Sequence, residues 1–118
     1  MTILAAVADS AEGRAALAQA VAEAALLETD LVAVNLGLRP LDVSGYSTDA
    51  VAITVVDRLG RGDRDPADAV LDEIAERTID RLVIGIKRRS PVGKAILGSV
   101  SQRLLLNSPV PVLAVKVD

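Results

Sequence analysis

The chain breaks into short apolar runs separated by longer mixed segments, and within each run the apolar residues are continuous rather than alternating. Five runs stand out: Ile3 to Val7 (ILAAV), Leu31 to Leu36 (LVAVNL), Val51 to Val56 (VAITVV), Leu82 to Ile86 (LVIGI) and Val110 to Val117. Short runs without alternation are the pattern of strands covered on both faces, as in a parallel sheet. Between the first two runs, Ala11 to about Leu27 is Ala-rich and has high helix propensity, with Leu17, Ala20, Val21 and Ala24 forming one apolar stripe. Asp9 and Ser10 are both good N-caps for this helix, and Asp9 with Glu12 has the spacing of a capping-box variant. Asp65-Pro66 starts a second helix, with Asp as N-cap, Pro in the first turn, and Ala67, Val70, Leu71, Ile74 and Ala75 as its buried stripe. Ser99 and Gln102 form a capping box for a third helix through about Leu106. Residues 37–50 hold Gly37, Pro40, Ser44, Gly45 and Ser47 and read as a loop with room for one helical turn. The Gly60 and Gly62 region is a polar connector, and Lys87 to Leu97 is a basic loop containing Gly and Pro. The order β-α-β-loop-β-α-β-loop-α-β implies parallel pairing with right-handed crossovers, in an α/β fold of one domain over residues 1–118.

Composition narrows the chemistry. Hydrophobic residues make up 51% of the chain, yet there is one Tyr and no Phe or Trp, so the core is aliphatic and recognition by aromatic stacking is not available. The absence of Cys excludes disulfides and thiolate metal sites, and the absence of His excludes Ser-His catalysis and His-ligated zinc. A formal net charge of -3 makes nucleic acid and anionic membranes poor partners, and neither is expected. No apolar run approaches the roughly 20 residues that span a bilayer. Met1-Thr2-Ile3-Leu4 runs into a strand pattern without the basic region of a signal peptide, so a cytoplasmic location is expected.

Open parallel sheets bind ligands at the carboxyl ends of their strands. Ala8-Asp9-Ser10, Asn35 and the loop after the fourth strand lie there. That loop has the parts of an anion cradle: Gly85, Gly93 and Gly98 permit close backbone approach, and Lys87, Arg88, Arg89 and Lys94 gather four positive charges in an acidic protein. The third helix aims its free amides at whatever precedes Ser99, and Ser99 and Ser101 add hydroxyls. It is not a Walker loop, because the glycine spacing is too long and Ala95 follows the Lys. Structural alternatives stand beside each feature: Ser99 as a cap alone, Gly98 as a turn, the basic run as a solvated surface, Asp9-Ser10 as a cap, and Asn35 as a strand end without chemistry.

In this loop the chain resembles the universal stress protein family, whose nucleotide-binding members carry G-x2-G-x9-G-[S/T] between the fourth strand and the last helix. Gly85 fills the first position and Gly98-Ser99 the last pair. Val100-Ser101-Gln102-Arg103-Leu104, the ending Pro109 to Val115, the opening Ile3 to Val7 and the helix start Glu12 to Leu17 are similar too. The resemblance implies a doubly wound five-stranded parallel sheet of order 3-2-1-4-5 and a homodimer through the last strand, residues 112–117. It implies ATP, with or without magnesium, its phosphates held by Gly85, Gly98, Ser99, Val100 and Ser101 and its adenosine near the first-strand end at Ala8 and Asp9 and the second strand. Three features depart from the family, two of them single positions. Arg88 replaces the second motif glycine, and its side chain either fills the phosphate site or binds there. Ala8 stands where the family has Asp. The connection between strands two and three lacks the usual helix, which leaves one sheet face to be covered by something else, a partner subunit being a natural candidate.

Two functions follow as expectations: a stress-response regulator binding ATP or another phosphorylated ligand, or a dimeric interaction module that has lost the nucleotide and offers its basic loop to an acidic protein partner. An enzyme is not expected, since without His or Cys the chemistry would fall to Asp, Lys or Arg with a metal.

Overall fold

The computed structural model describes residues 1–46, 50–57, 65–89, 94–96 and 98–117, with the backbone alone at 88–89 and 94–96. The elements are β1 (Thr2–Val7), α1 (Ala11–Leu26), β2 (Asp30–Asn35), β3 (Ile53–Asp57), α2 (Pro66–Glu76), β4 (Arg81–Arg89), β5 (Lys94–Ile96), α3 (Ser99–Asn107) and β6 (Val112–Val117). The parallel strands lie in the order β3-β2-β1-β4-β6, which is the expected 3-2-1-4-5 with β6 as the fifth parallel strand. β5 is the addition: it pairs antiparallel with the outer end of β4, Lys87 opposite Ile96 and Arg89 opposite Lys94. The segment expected as a loop from Lys87 is therefore a β-hairpin at its base, and its tip, residues 90–93, lies outside the described residues, as do the polar connector 58–64 and residue 97.

Continuous apolar strands let the sheet be covered on both faces. Ile3, Ala5 and Val7 of β1 face α1, where Ala16, Leu17, Ala20, Val21 and Ala24 are buried as the periodicity indicates. Leu4 and Ala6 face the opposite layer, built from Ala67, Val70 and Ile74 of α2 and Leu104 of α3. The stripe on α2 is rotated from expectation: Ala75 is exposed and Glu73 is buried, its Oε2 accepting from Arg77 Nε at 2.8 Å. An acid buries at that position because a cation one turn later neutralises it. The second and third strand runs are displaced slightly, β3 starting at Ile53 while Val51 makes only an isolated bridge.

Residues 37–46 form no helix, but they do not leave the α1 face of β2 and β3 bare. Leu41, Val43 and Tyr46 pack against the cluster that holds Val51 and Ile53. Asn35, 5% exposed at the end of β2, organises this connector: its Nδ2 donates to Arg39 O (2.8 Å) and Asp57 Oδ1 (2.9 Å), and its Oδ1 accepts from Gly37 N–H (3.0 Å). The residue read as a bare strand end is the buried polar hub of the region.

Candidate functional site

The carboxyl end of β1 is where the chemistry converges. Ala8 lines three hollows, two of them toward β4 and α3 and one toward the 37–46 connector. One hollow, about 210 Å³, has apolar walls from Ala6, Leu36, Ile84, Val100 and Leu104, and Gly85 and Ser101 at its edge. A second, about 290 Å³, shares Ala8, Glu12, Gly85 and Ser101 with the first and adds Ser10, Lys87 and Gly98. The two form one cleft over β1 and β4, on whose opposite sides the chain turns away, which is the switch point of a doubly wound sheet. An apolar end beside a polar end with a cation and helix amides suits a ligand with a flat apolar body and an anionic tail.

The glycines in the cleft do different work. A Cβ at Gly85 would lie 2.0 Å from the carbonyl oxygen of Glu12, so Gly85 lets the first turn of α1 rest on β4. A Cβ at Gly13 would lie 1.8 Å from the carbonyl oxygen of Ala8. Gly13 went unremarked in the sequence, although a glycine in an Ala-rich helix start costs about 1 kcal/mol against Ala and so signals a packing need. Gly98 is the opposite case. It is the N-cap of α3 at φ -66° and ψ 165°, an extended conformation open to any residue, and a Cβ there meets nothing within 4 Å. Among the described residues, neither packing nor backbone calls for glycine at 98.

This corrects the expected caps. Ser99 is the first helical residue of α3, not its N-cap, and Gly98 gives no side-chain bond to the helix amides. At α1 the cap is Ser10, whose Oγ accepts from Gly13 N–H at 3.1 Å, while Asp9 forms a bidentate pair with Arg39, Nε to Oδ2 at 2.9 Å and Nη2 to Oδ1 at 2.9 Å. The Ser10 hydroxyl holds the Glu12 carboxyl below the usual carboxylate range, helped by the Glu12 backbone amide and by the charges of Lys87 and Arg14. Ser101 Oγ lies 3.5 Å from the Gly85 carbonyl oxygen, tying α3 to β4. On the α2 side, Arg103 pairs with Asp65 Oδ1 at 2.8 Å and with Asp68, joining α3 to the first turn of α2, where Pro66 lines the cleft.

The structure thus brings Ala8, Gly85, Gly98, Val100 and Ser101 to one cleft, with Ser99 next to Gly98 in the first turn of α3 and Asp9 turned toward the connector. Arg88 is set opposite Ala95 in the hairpin. Backbone amides at 87–89 and 94–96 sit in an antiparallel strand pair, and the start of α3 presents free amides to an anion. Among the described residues there is no group of three or more His, Cys, Asp or Glu side chains that would hold a metal ion.

A parallel sheet in this order, with its cleft at the switch point, defines a doubly wound α/β domain of the kind that takes ligands across strand ends. The model of the Universal stress protein family matches residues 37–116, and the chain belongs to that family. A universal stress protein of Mycolicibacterium smegmatis is 54% identical over 52 residues, which is 44% of this chain and 40% of that relative's length. The universal stress protein of Archaeoglobus fulgidus superposes with a TM-score of 0.70 at 25% identity, covering 98% of this chain and 97% of that one. A structure of the A. fulgidus protein in complex with dAMP superposes with a TM-score of 0.66 at 20% identity, over 98% and 96% of the two chains. No helix among the described residues is long and apolar enough to cross a membrane.

Proposed function

We propose that this protein is a stress-response regulator that binds an adenine nucleotide, ATP or another phosphorylated ligand, in the cleft between Ala8 and the start of α3. The observation that carries it is Gly98: a helix N-terminus that makes no side-chain cap bond and where, among the described residues, packing does not call for glycine, lining the same hollow as Lys87. The adenosine would lie against Leu36, Ile84, Val100 and Leu104, and the phosphates against Gly98, Ser99 and Ser101. The dAMP bound by the A. fulgidus relative supports an adenine ligand. We read the site as one for binding without turnover, since Asp9 is taken up by Arg39 and the chain has no His or Cys. The active unit in this proposal is a cytoplasmic homodimer joined through β6.

The test is a thermal unfolding scan with and without millimolar ATP and magnesium, repeated with dAMP. A ligand that binds only the folded state stabilises by about 2.7 kcal/mol at one hundred times its dissociation constant. The expected result is an upward shift that Gly98→Val removes when each variant is referred to its own ligand-free transition. No shift with either nucleotide would overturn the proposal and favour the interaction module, with the basic hairpin facing an acidic partner.

A further inference from the structure

We infer that the hollow between α1 and the 37–46 connector is a second small-molecule site, for a carboxylate with a branched aliphatic body. It measures about 260 Å³ and meets the nucleotide cleft only at Ala8. It lies where α1 meets a β2–β3 connection that forms no helix over residues 37–46. Val7 and Leu17, both buried, lie behind it, its accessible apolar lining comes from Pro40, Leu41 and Tyr46, and the exposed Arg14 lines it too.

Charge and size select the ligand. The acids at this hollow already have partners: Asp9 is held bidentately by Arg39, and Asp42 Oδ1 accepts from Ser44 N–H at 2.9 Å. Arg14 has no ion pair or hydrogen bond from its side chain among the described residues, although Glu12 is close enough to feel its charge. A guanidinium that lines the same hollow as Pro40, Leu41 and Tyr46, with Asp9 already paired to Arg39, is complementary to one anionic head on an apolar body. An apolar cavity of about 150 Å³ accommodates benzene, so this hollow of about 260 Å³ has room for a body of similar or slightly larger size. Inorganic phosphate would satisfy Arg14 but leave the accessible faces of Pro40, Leu41 and Tyr46 wet.

Tyr46 is the chain's only aromatic residue, so ultraviolet tyrosine emission reports on this hollow alone. The experiment is a titration of the intact protein with 4-methylpentanoate, followed by that emission, with 4-methylpentanamide and inorganic phosphate as parallel arms. The expected result is a saturable change with half-saturation at about 1 mM, and responses about tenfold weaker for the amide, for phosphate, and for the carboxylate on Arg14→Gln, with Arg14→Lys restoring part of it. A linear or absent response to the carboxylate, or an amide or phosphate response equal to it, overturns the inference. So does unchanged affinity in Arg14→Gln. The amide and phosphate arms use the natural sequence, so they decide the matter even if a variant fails to fold.

Discussion

One added methyl group should mean opposite things at the two ends of the β4–α3 segment. At Gly85 it would have to displace the backbone of α1 at Glu12, because 2.0 Å is far inside contact and the obstacle is a carbonyl oxygen that cannot rotate away. Gly85→Ala is therefore expected to cost about 1–3 kcal/mol, the range of an overpacked core. At Gly98 the same methyl enters open space, and Gly98→Ala should cost less than about 1 kcal/mol, the order of an N-cap change. Chemical denaturation of the two variants, free of ligand, checks this directly. Equal losses would mean that Gly98 is held by packing after all and would remove the main support for an open anion site. Both glycines occupy motif positions, so spacing alone cannot separate the one that serves the fold from the one that faces a ligand.

At the scale of elements, the 37–46 connector substitutes for a helix by hanging three apolar side chains on a polar hub. Asn35 spends all its hydrogen-bonding groups locally, on Arg39, Asp57 and Gly37. Asn35→Ala would remove the bonds that tie the exposed Asp57 carboxylate and the half-buried Gly37 amide to the end of β2, a loss of about 0.5–1.5 kcal/mol per bond. The expected signature is local: hydrogen exchange should accelerate at residues 37–46 more than in β1 or α1. Uniform acceleration across the sheet would instead make Asn35 a general stabiliser of β2. The strands and the first two helices were legible in the sequence because their signals are strong and local: continuous apolar runs, an Ala-rich stripe, Asp65 before Pro66. The connector was not, because Leu41, Val43 and Tyr46 are spaced for neither helix nor strand and pack only when Asn35 turns the chain. The β4–β5 hairpin was hidden for a related reason. Its residues are basic and carry no alternation, and only the pairing of Lys87 with Ile96 makes them strands. Of the cleft, the positions around α3 were legible through motif spacing and Ser10 through its cap chemistry, whereas Gly13 depends on how α1 lands on the sheet.

For the whole molecule the open question is what covers β6. Val112, Leu113, Ala114 and Val115 remain half-exposed on an edge that, among the described residues, pairs only with β4. An apolar edge of this kind invites another strand. The ladder with β4 begins with Leu82 N–H donating to Pro111 O. Parallel pairing then directs the amides of Leu113 and Val115 inward to β4 and those of Ala114 and Lys116 outward. Ala114→Pro removes an outward donor while sparing the bonds to β4, a place where an edge strand tolerates proline. If two copies join through this edge, sedimentation should show a dimer for the natural chain and a folded monomer for Ala114→Pro, with intact far-ultraviolet circular dichroism. A dimer that survives the substitution would place the interface elsewhere. A natural chain that sediments as a monomer would remove self-association and leave β6 open to a strand from a different protein.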